Sequence, residues 1–198
     1  MNLKEFNSLT DLFFYQAKKQ NPKNIFLEWL STINRKKFTW SETMENVYKI
    51  TKVLKENIKT GDRCLLVSEN RPEWLMSDLA IMLSGGITVP AYTTYTKEDY
   101  KYLIEDCEPS VVIISNNIMH KKLEKIIQEK KYIKKVISFD YLAGADYQNR
   151  YIDFSTITKK KLSKSDKLTN TNLKRNSPAC IIYTSGTGGN PKGVILSH

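Results

Sequence analysis

Arginine, histidine and cysteine are all scarce in this 198-residue chain, and each shortage excludes something. Only Arg35, Arg63, Arg71, Arg150 and Arg175 stand among the 31 basic residues, so the formal charge of +10 rests on lysine. Lysine lacks the planar fork that base-reading and phosphate-clamping surfaces favour. Seven of the positive residues crowd between Lys159 and Arg175 against one acid, Asp166, in a stretch rich in Ser, Thr and Asn. That composition reads as a solvated, Lys-rich linker at 156–176, and no nucleic-acid partner is expected. The charge then serves solubility, with weak attraction to an anionic lipid surface as the minor reading. Cys64, Cys107 and Cys180 are odd in number, far apart and set in apolar surroundings. A disulfide framework and a zinc site are therefore excluded, no metal ligands are assigned, and three buried thiols are expected. His120 lies in a lysine-rich segment and is expected to be solvated. No run approaches the ~18 apolar residues of a membrane helix. The start, Met1-Asn2-Leu3-Lys4-Glu5-Phe6, has no basic-then-apolar leader pattern, so the expected location is the cytoplasm, extending to the inner membrane surface if the lysines meet lipid.

What is present suits one globular domain with 40% hydrophobic residues to build its core. Helical spacing marks Leu9 to Lys19, and Pro22 stops it. Ile25–Leu30 and Lys37–Trp40 read as a strand pair around a polar turn at 31–36. Thr39 and Glu42 form a capping-box pattern opening a helix through Met44, Val47, Ile50, Leu54 and Ile58, closed by Gly61. From there strand and helix alternate. The strands are Cys64–Val67, Ile87–Val89, Val111–Ile114 and Lys135–Phe139. The helices begin at Pro72, near Thr96, where Asp99 completes a cap, and in the Lys-rich segment containing Leu123, Ile126 and Ile127. Short apolar strands alternating with helices imply an α/β fold, a mainly parallel sheet with helices on both faces.

The chemistry is concentrated in Tyr183-Thr184-Ser185-Gly186-Thr187-Gly188-Gly189-Asn190-Pro191-Lys192-Gly193-Val194, entered from the apolar run Ala179–Ile182. Glycines let the backbone approach an anion and turn N–H groups inward, Thr184, Ser185 and Thr187 add hydroxyl donors, and Lys192 adds charge. A polyphosphate is the natural occupant. The Walker spacing fails, because Gly193 instead of Ser or Thr follows Lys192, and the dinucleotide fingerprint fails for want of glycines at its later offsets.

The segment resembles the signature of the adenylate-forming (AMP-binding) superfamily of acyl-CoA synthetases, firefly luciferase and peptide-synthetase adenylation domains. That signature reads Tyr-Thr-Ser-Gly-Thr-Thr-Gly-any-Pro-Lys-Gly-Val. One specified position departs from it: Gly188 stands for Thr or Ser, which removes one side-chain donor and leaves the backbone donor. The stretches Ser68-Glu69-Asn70-Arg71-Pro72-Glu73-Trp74, Asp78-Leu79-Ala80 and Gly85-Gly86-Ile87-Thr88-Val89-Pro90-Ala91-Tyr92-Thr93-Thr94, with Glu105-Asp106-Cys107, look most like long-chain fatty acyl-CoA synthetases, including the bubblegum-type branch. Trp74 and Tyr92 are expected to be packing anchors more than substrate contacts.

The resemblance implies the N-terminal part of the large domain of an ATP-dependent acid–thiol ligase. ATP, Mg²⁺ and CoA would serve it as cofactors and co-substrates, and a fatty acid as substrate. Its phosphate-binding residues would be Thr184, Ser185, Gly186, Thr187, Gly188, Gly189 and Lys192. His198 falls where the family has Ser-His or Thr-His and is carried as a further site candidate, against a purely structural role. The adenine loop, the ribose-binding aspartate and the C-terminal domain with its catalytic lysine fall downstream in the family. No catalytic set is complete within residues 1–198, and these residues alone are expected not to turn over. A peptide-synthetase-like adenylating domain and a non-catalytic nucleotide-binding remnant are the alternative readings.

Overall fold

A computed structural model of the chain describes residues 5–30, 35–167, 172–184 and 190–198. Six helices and nine strands order these residues. They run α1 (Leu9–Lys19), β1 (Ile25–Leu30), β2 (Arg35–Thr39), α2 (Trp40–Lys55), β3 (Arg63–Val67), α3 (Pro72–Leu83), β4 (Ile87–Ala91) and α4 (Lys97–Cys107). Then follow β5 (Val111–Ile114), α5 (Asn117–Glu129), β6 (Lys135–Ser138), β7 (Tyr151–Asp153), α6 (Phe154–Thr158), β8 (Pro178–Thr184) and β9 (Lys192–Ser197).

The main sheet has seven strands in the order β7-β6-β5-β3-β4-β8-β9, all parallel except β9, which returns antiparallel beside β8. β1 and β2 pair separately as an antiparallel ribbon. The central strands are mostly apolar because both of their faces are covered. Alternate residues point to opposite sides. Cys64, Leu66, Val111 and Ile113 join the core beneath α1, α2, α3 and α6. Leu65, Val67, Val112 and Ile114 join the core beneath α4 and α5. The α/β architecture expected from the alternation is therefore the one observed.

Local capping holds where the residues announce it. Thr39 with Glu42 and Thr96 with Asp99 each form a complete capping box. Gly61 and Gly85 take positive φ in adjoining turns, and the Gly61 N–H donates to the Gly85 carbonyl at 2.8 Å.

Several expectations need correction. Trp40 opens α2 instead of closing a strand, because Thr39 is already the N-cap. α2 stops at Lys55, so Ile58 packs from the following turn. His120 is 4% exposed, on the face of α5 that carries Met119, Leu123, Ile126 and Ile127, and its Nε2 lies 3.2 Å from the Tyr151 hydroxyl. Burial lowers its pKa, which favours the neutral ring. Lysines that occupy the rest of the helix surface hide this apolar stripe in the composition.

The linker expected at 156–176 begins inside α6, where Ile157 is fully buried. It continues through a 3-10 turn at Ser165–Lys167, whose Asp166 accepts from Lys52 at 2.9 Å. Cys64 and Cys107 are buried free thiols, whereas Cys180 is only half-buried. Among the described residues, no helix is long and apolar enough to cross a membrane.

Candidate functional site

β3 is the strand from which the sheet grows both ways: β4 lies on one side of it and β5 on the other. In open α/β sheets, ligands settle outside the carboxyl ends of the strands at such a reversal. There the chain leaves β3 through Ser68 and Glu69 and leaves β5 through Asn116, whose amide donates to Glu69 at 3.1 Å. Burial pulls the Glu69 carboxyl upward, but hydrogen bonds, the one from Asn116 among them, outweigh it and hold it below the usual range.

An open cavity of about 540 Å³ lies on the same edge, lined by Ser68, Trp74, Tyr92, Thr93, Tyr95 and Ile182 among others. Trp74 packs on the core as expected. Tyr92 does not: it is 68% exposed and meets the Tyr95 ring edge-on, with centroids 5.5 Å apart.

The glycine-rich segment follows β8 in sequence and leads to β9, whose paired ends lie at this carboxyl edge. Thr184 ends β8 and Lys192 begins β9, and the two are register partners. The structure thus brings these two exposed site candidates together at the neck of the loop. Ser185, Gly186, Thr187, Gly188 and Gly189 lie outside the described residues. His198 lies at the other end of the hairpin. It is six residue steps from Lys192, about 20 Å at the rise of an antiparallel strand, and it accepts the Leu9 N–H on Nδ1 at 3.4 Å. Burial lowers its pKa. Its surroundings are structural, and it does not share the neck with Thr184 and Lys192.

The loop's stems are held from α4 by Tyr102 and by Asp106, which lies in the family-like stretch Glu105-Asp106-Cys107 but has no role implied by it. The Tyr183 hydroxyl donates to the Asp106 carboxylate, and the Tyr102 hydroxyl donates to the Pro191 carbonyl at 2.9 Å. Burial, and then Asp106 itself, push the Tyr183 phenol well up, so it stays a donor.

Gly193 is the register partner of Tyr183. A Cβ there would lie 2.8 Å from Ile181 Cγ2 and 3.3 Å from the Tyr183 ring. The glycine leaves room for the ring to lie across the strand. Gly193→Val is accordingly expected to cost about 1–3 kcal/mol by overpacking and to push Tyr183 off Asp106. Urea unfolding checks it, and unchanged stability would refute the packing argument.

The model of the AMP-binding enzyme family matches residues 13–198. The chain belongs to that family. Long chain acyl-CoA synthetase 3 of Arabidopsis thaliana is 28% identical over 96% of this chain and 30% of its own length. Fatty acyl-CoA synthetase A of Dictyostelium discoideum is 34% identical over 71% of this chain and 21% of its own. A long-chain-fatty-acid–CoA ligase of Xenopus laevis is 33% identical over 65% and 18%. The chain therefore spans between 18% and 30% of these relatives.

Two solved structures superpose on the whole chain. They are an anthranilate CoA ligase in complex with anthranoyl-AMP, with TM-score 0.83, 19% identity and 36% of that chain covered, and a luciferase-like enzyme of the mealworm Zophobas morio, with 0.82, 18% and 44%. At such identity the superposition establishes the adenylate-forming fold. Within this AMP-binding portion, no described residues group three or more His, Cys, Asp or Glu side chains that could hold a metal ion.

Proposed function

We propose that this chain is the phosphate-binding portion of an ATP-dependent acid–thiol ligase that activates long-chain fatty acids. The observation that supports the reading is the hydroxyl- and glycine-rich sequence between Thr184 and Lys192, two residues that pair at the carboxyl edge of the sheet, on the same edge as an open cavity. The names of the relatives favour a long-chain acid over an amino acid.

In the first step a carboxylate oxygen attacks the α-phosphorus of ATP. The bond to the bridging oxygen of the β-phosphate breaks, and pyrophosphate leaves. In the second, the CoA sulfur attacks the acyl carbon, the bond to AMP breaks, and the thiol proton passes to solvent. Such chemistry asks the protein for positioning and charge neutralisation more than for covalent work. The loop from Thr184 to Gly189 would hold the β- and γ-phosphates, and Lys192 would neutralise them. The described residues provide no cage for Mg²⁺, which enters this reading only as the counter-ion carried by the triphosphate. Cytoplasmic placement, with the lysines able to meet an anionic lipid surface, is part of the same proposal.

Calorimetric titration of the chain with MgATP tests the site. Lys192→Met is expected to weaken binding about tenfold or more, the worth of one charge-assisted hydrogen bond. Absence of binding, or equal affinity in the variant, would overturn the assignment. Acid-dependent ATP–pyrophosphate exchange by protein purified from its native source tests the substrate class. Fatty acids of graded length should support it; exchange with amino acids alone would point to a peptide-synthetase-like enzyme.

A further inference from the structure

β8 is tied to the parallel sheet by a single ladder pair, Thr88 with Cys180. Beyond Cys180 its ladder partners lie on β9, while Ile181 and Tyr183 still pack against the core beside β4, so β8 and the returning strand form a hairpin arm at the sheet edge. β9 is exposed along its whole length. Packing on β4 holds the inner strand, and α4 adds hydrogen bonds to both strands of the arm. Tyr102 and Asp106, one turn apart on α4, both face the arm, as side chains four residues apart on a helix do. Asp106 takes the hydroxyl of Tyr183, one residue before Thr184. Tyr102 donates to the carbonyl of Pro191, one residue before Lys192. α4 therefore grips both stems of the loop at the level of its neck. The helix is itself fixed: Tyr100, Leu103, Ile104 and Cys107 are buried in the core beneath it.

We infer that Tyr102 and Asp106 are positioning residues that fix the two stems of the phosphate loop, at Tyr183 and Pro191, at the carboxyl edge of the sheet. Each acts through a stem residue. The inference rests on the phosphate-loop reading for its functional consequence and on the two hydrogen bonds for its geometry. Nothing in the local pattern of α4 announces it, since Asp106 and Tyr183 are 77 positions apart.

The test uses Tyr102→Phe, Asp106→Leu and the double variant, with Tyr132→Phe as control. The control removes a hydroxyl bond of similar length, 3.1 Å to the Ile104 carbonyl, from the same helix but away from the arm. Two readouts are taken: affinity for MgATP, and the rate of tryptic cleavage after Lys192, which needs no nucleotide. The double variant is expected to bind MgATP about tenfold more weakly and to be cut about tenfold faster, the consequence of two lost hydrogen bonds. Tyr132→Phe should match the unaltered chain in both. Asp106→Asn, which keeps an acceptor oxygen, should recover most of what Asp106→Leu loses.

If the unaltered chain binds MgATP and the double variant binds within twofold of it with unchanged cleavage, the anchoring inference is wrong and the site assignment stands. Equal losses in Tyr132→Phe would also overturn it, by making the effect one of general stability. If no chain binds nucleotide, the phosphate-loop assignment fails, and cleavage alone still decides whether α4 holds the arm.

Discussion

Arg71→Leu should lower the stability of the chain by about 3–5 kcal/mol, because it strands a carboxylate in the core. The Arg71 side chain is 5% exposed and that of Glu73 is 2% exposed. The guanidinium donates to both Glu73 oxygens at 3.3 Å and forms a two-pronged pair with Asp140 at 2.9 and 3.1 Å. Its Cζ lies 4.8 Å from the centre of the Trp29 ring and 5.5 Å from that of Phe139. Burial opposes the charge of Arg71, and the two carboxylates outweigh it. Asp140 is half-exposed and is readily rehydrated when the arginine goes. Glu73 is not, and its other cation, Lys36, stands off at 3.7 Å. The buried glutamate therefore carries most of the expected cost. Urea unfolding should show the loss, and the thermal midpoint should fall by about 6–12 °C for ~3 kcal/mol in a chain of this size. Arg71→Leu combined with Glu73→Leu should restore most of it, since no buried charge is then left unpaired. A single variant within about 1 kcal/mol of the parent would refute the argument.

The same cluster shows where sequence reasoning reaches and where it ends. Asn70-Arg71-Pro72-Glu73-Trp74 was legible as a family element, and Pro72 as a helix start, because a proline at the first turn and an acid just after it act within a few residues. That Arg71 would also fix Asp140, 69 positions later, was not legible. The capping boxes at Thr39 and Thr96 were readable for the same local reason. The apolar strands were readable because burial on both faces leaves nothing else in them.

β7 and α6, of three and five residues, are too short to show a period. Their Ser/Thr-rich surroundings suggest a linker, although the Asp153 carboxylate caps the helix by accepting from the Thr156 N–H at 2.9 Å. The phosphate loop's residue types were plain, because glycine, hydroxyl and lysine chemistry is carried by the residues themselves. The antiparallel return of β9, the space beside Gly193 and the two bonds from α4 depend on partners brought together by folding. They leave no mark at any one position.

The wall of the cavity is built from beneath in the same way, and Tyr100 is its central support. Its side chain is fully buried, and its hydroxyl donates to the Tyr92 carbonyl at 2.6 Å. Lys122, reaching over from α5, donates to the carbonyls of Thr93 and Tyr95 at 2.8 and 2.9 Å and lies 5.9 Å from the Tyr100 ring. Three carbonyls of the short segment 92–95 are thus turned inward and satisfied, which leaves the exposed Tyr92 ring on the cavity side. Tyr100→Ala removes both the ring and the hydroxyl and should cost about 3–5 kcal/mol, as large aromatic truncations in cores do. Tyr100→Phe keeps the packing and should cost only about 1 kcal/mol, the net worth of a hydrogen bond plus part of the penalty for a carbonyl left short of a donor. Lys122 would still hold Thr93 and Tyr95 in the phenylalanine variant, so the wall should keep its shape there and lose it in the alanine variant. Unfolding curves of the two variants decide between these contributions. Equal costs would mean that the hydroxyl, and not the buried ring, supports the segment that faces the cavity.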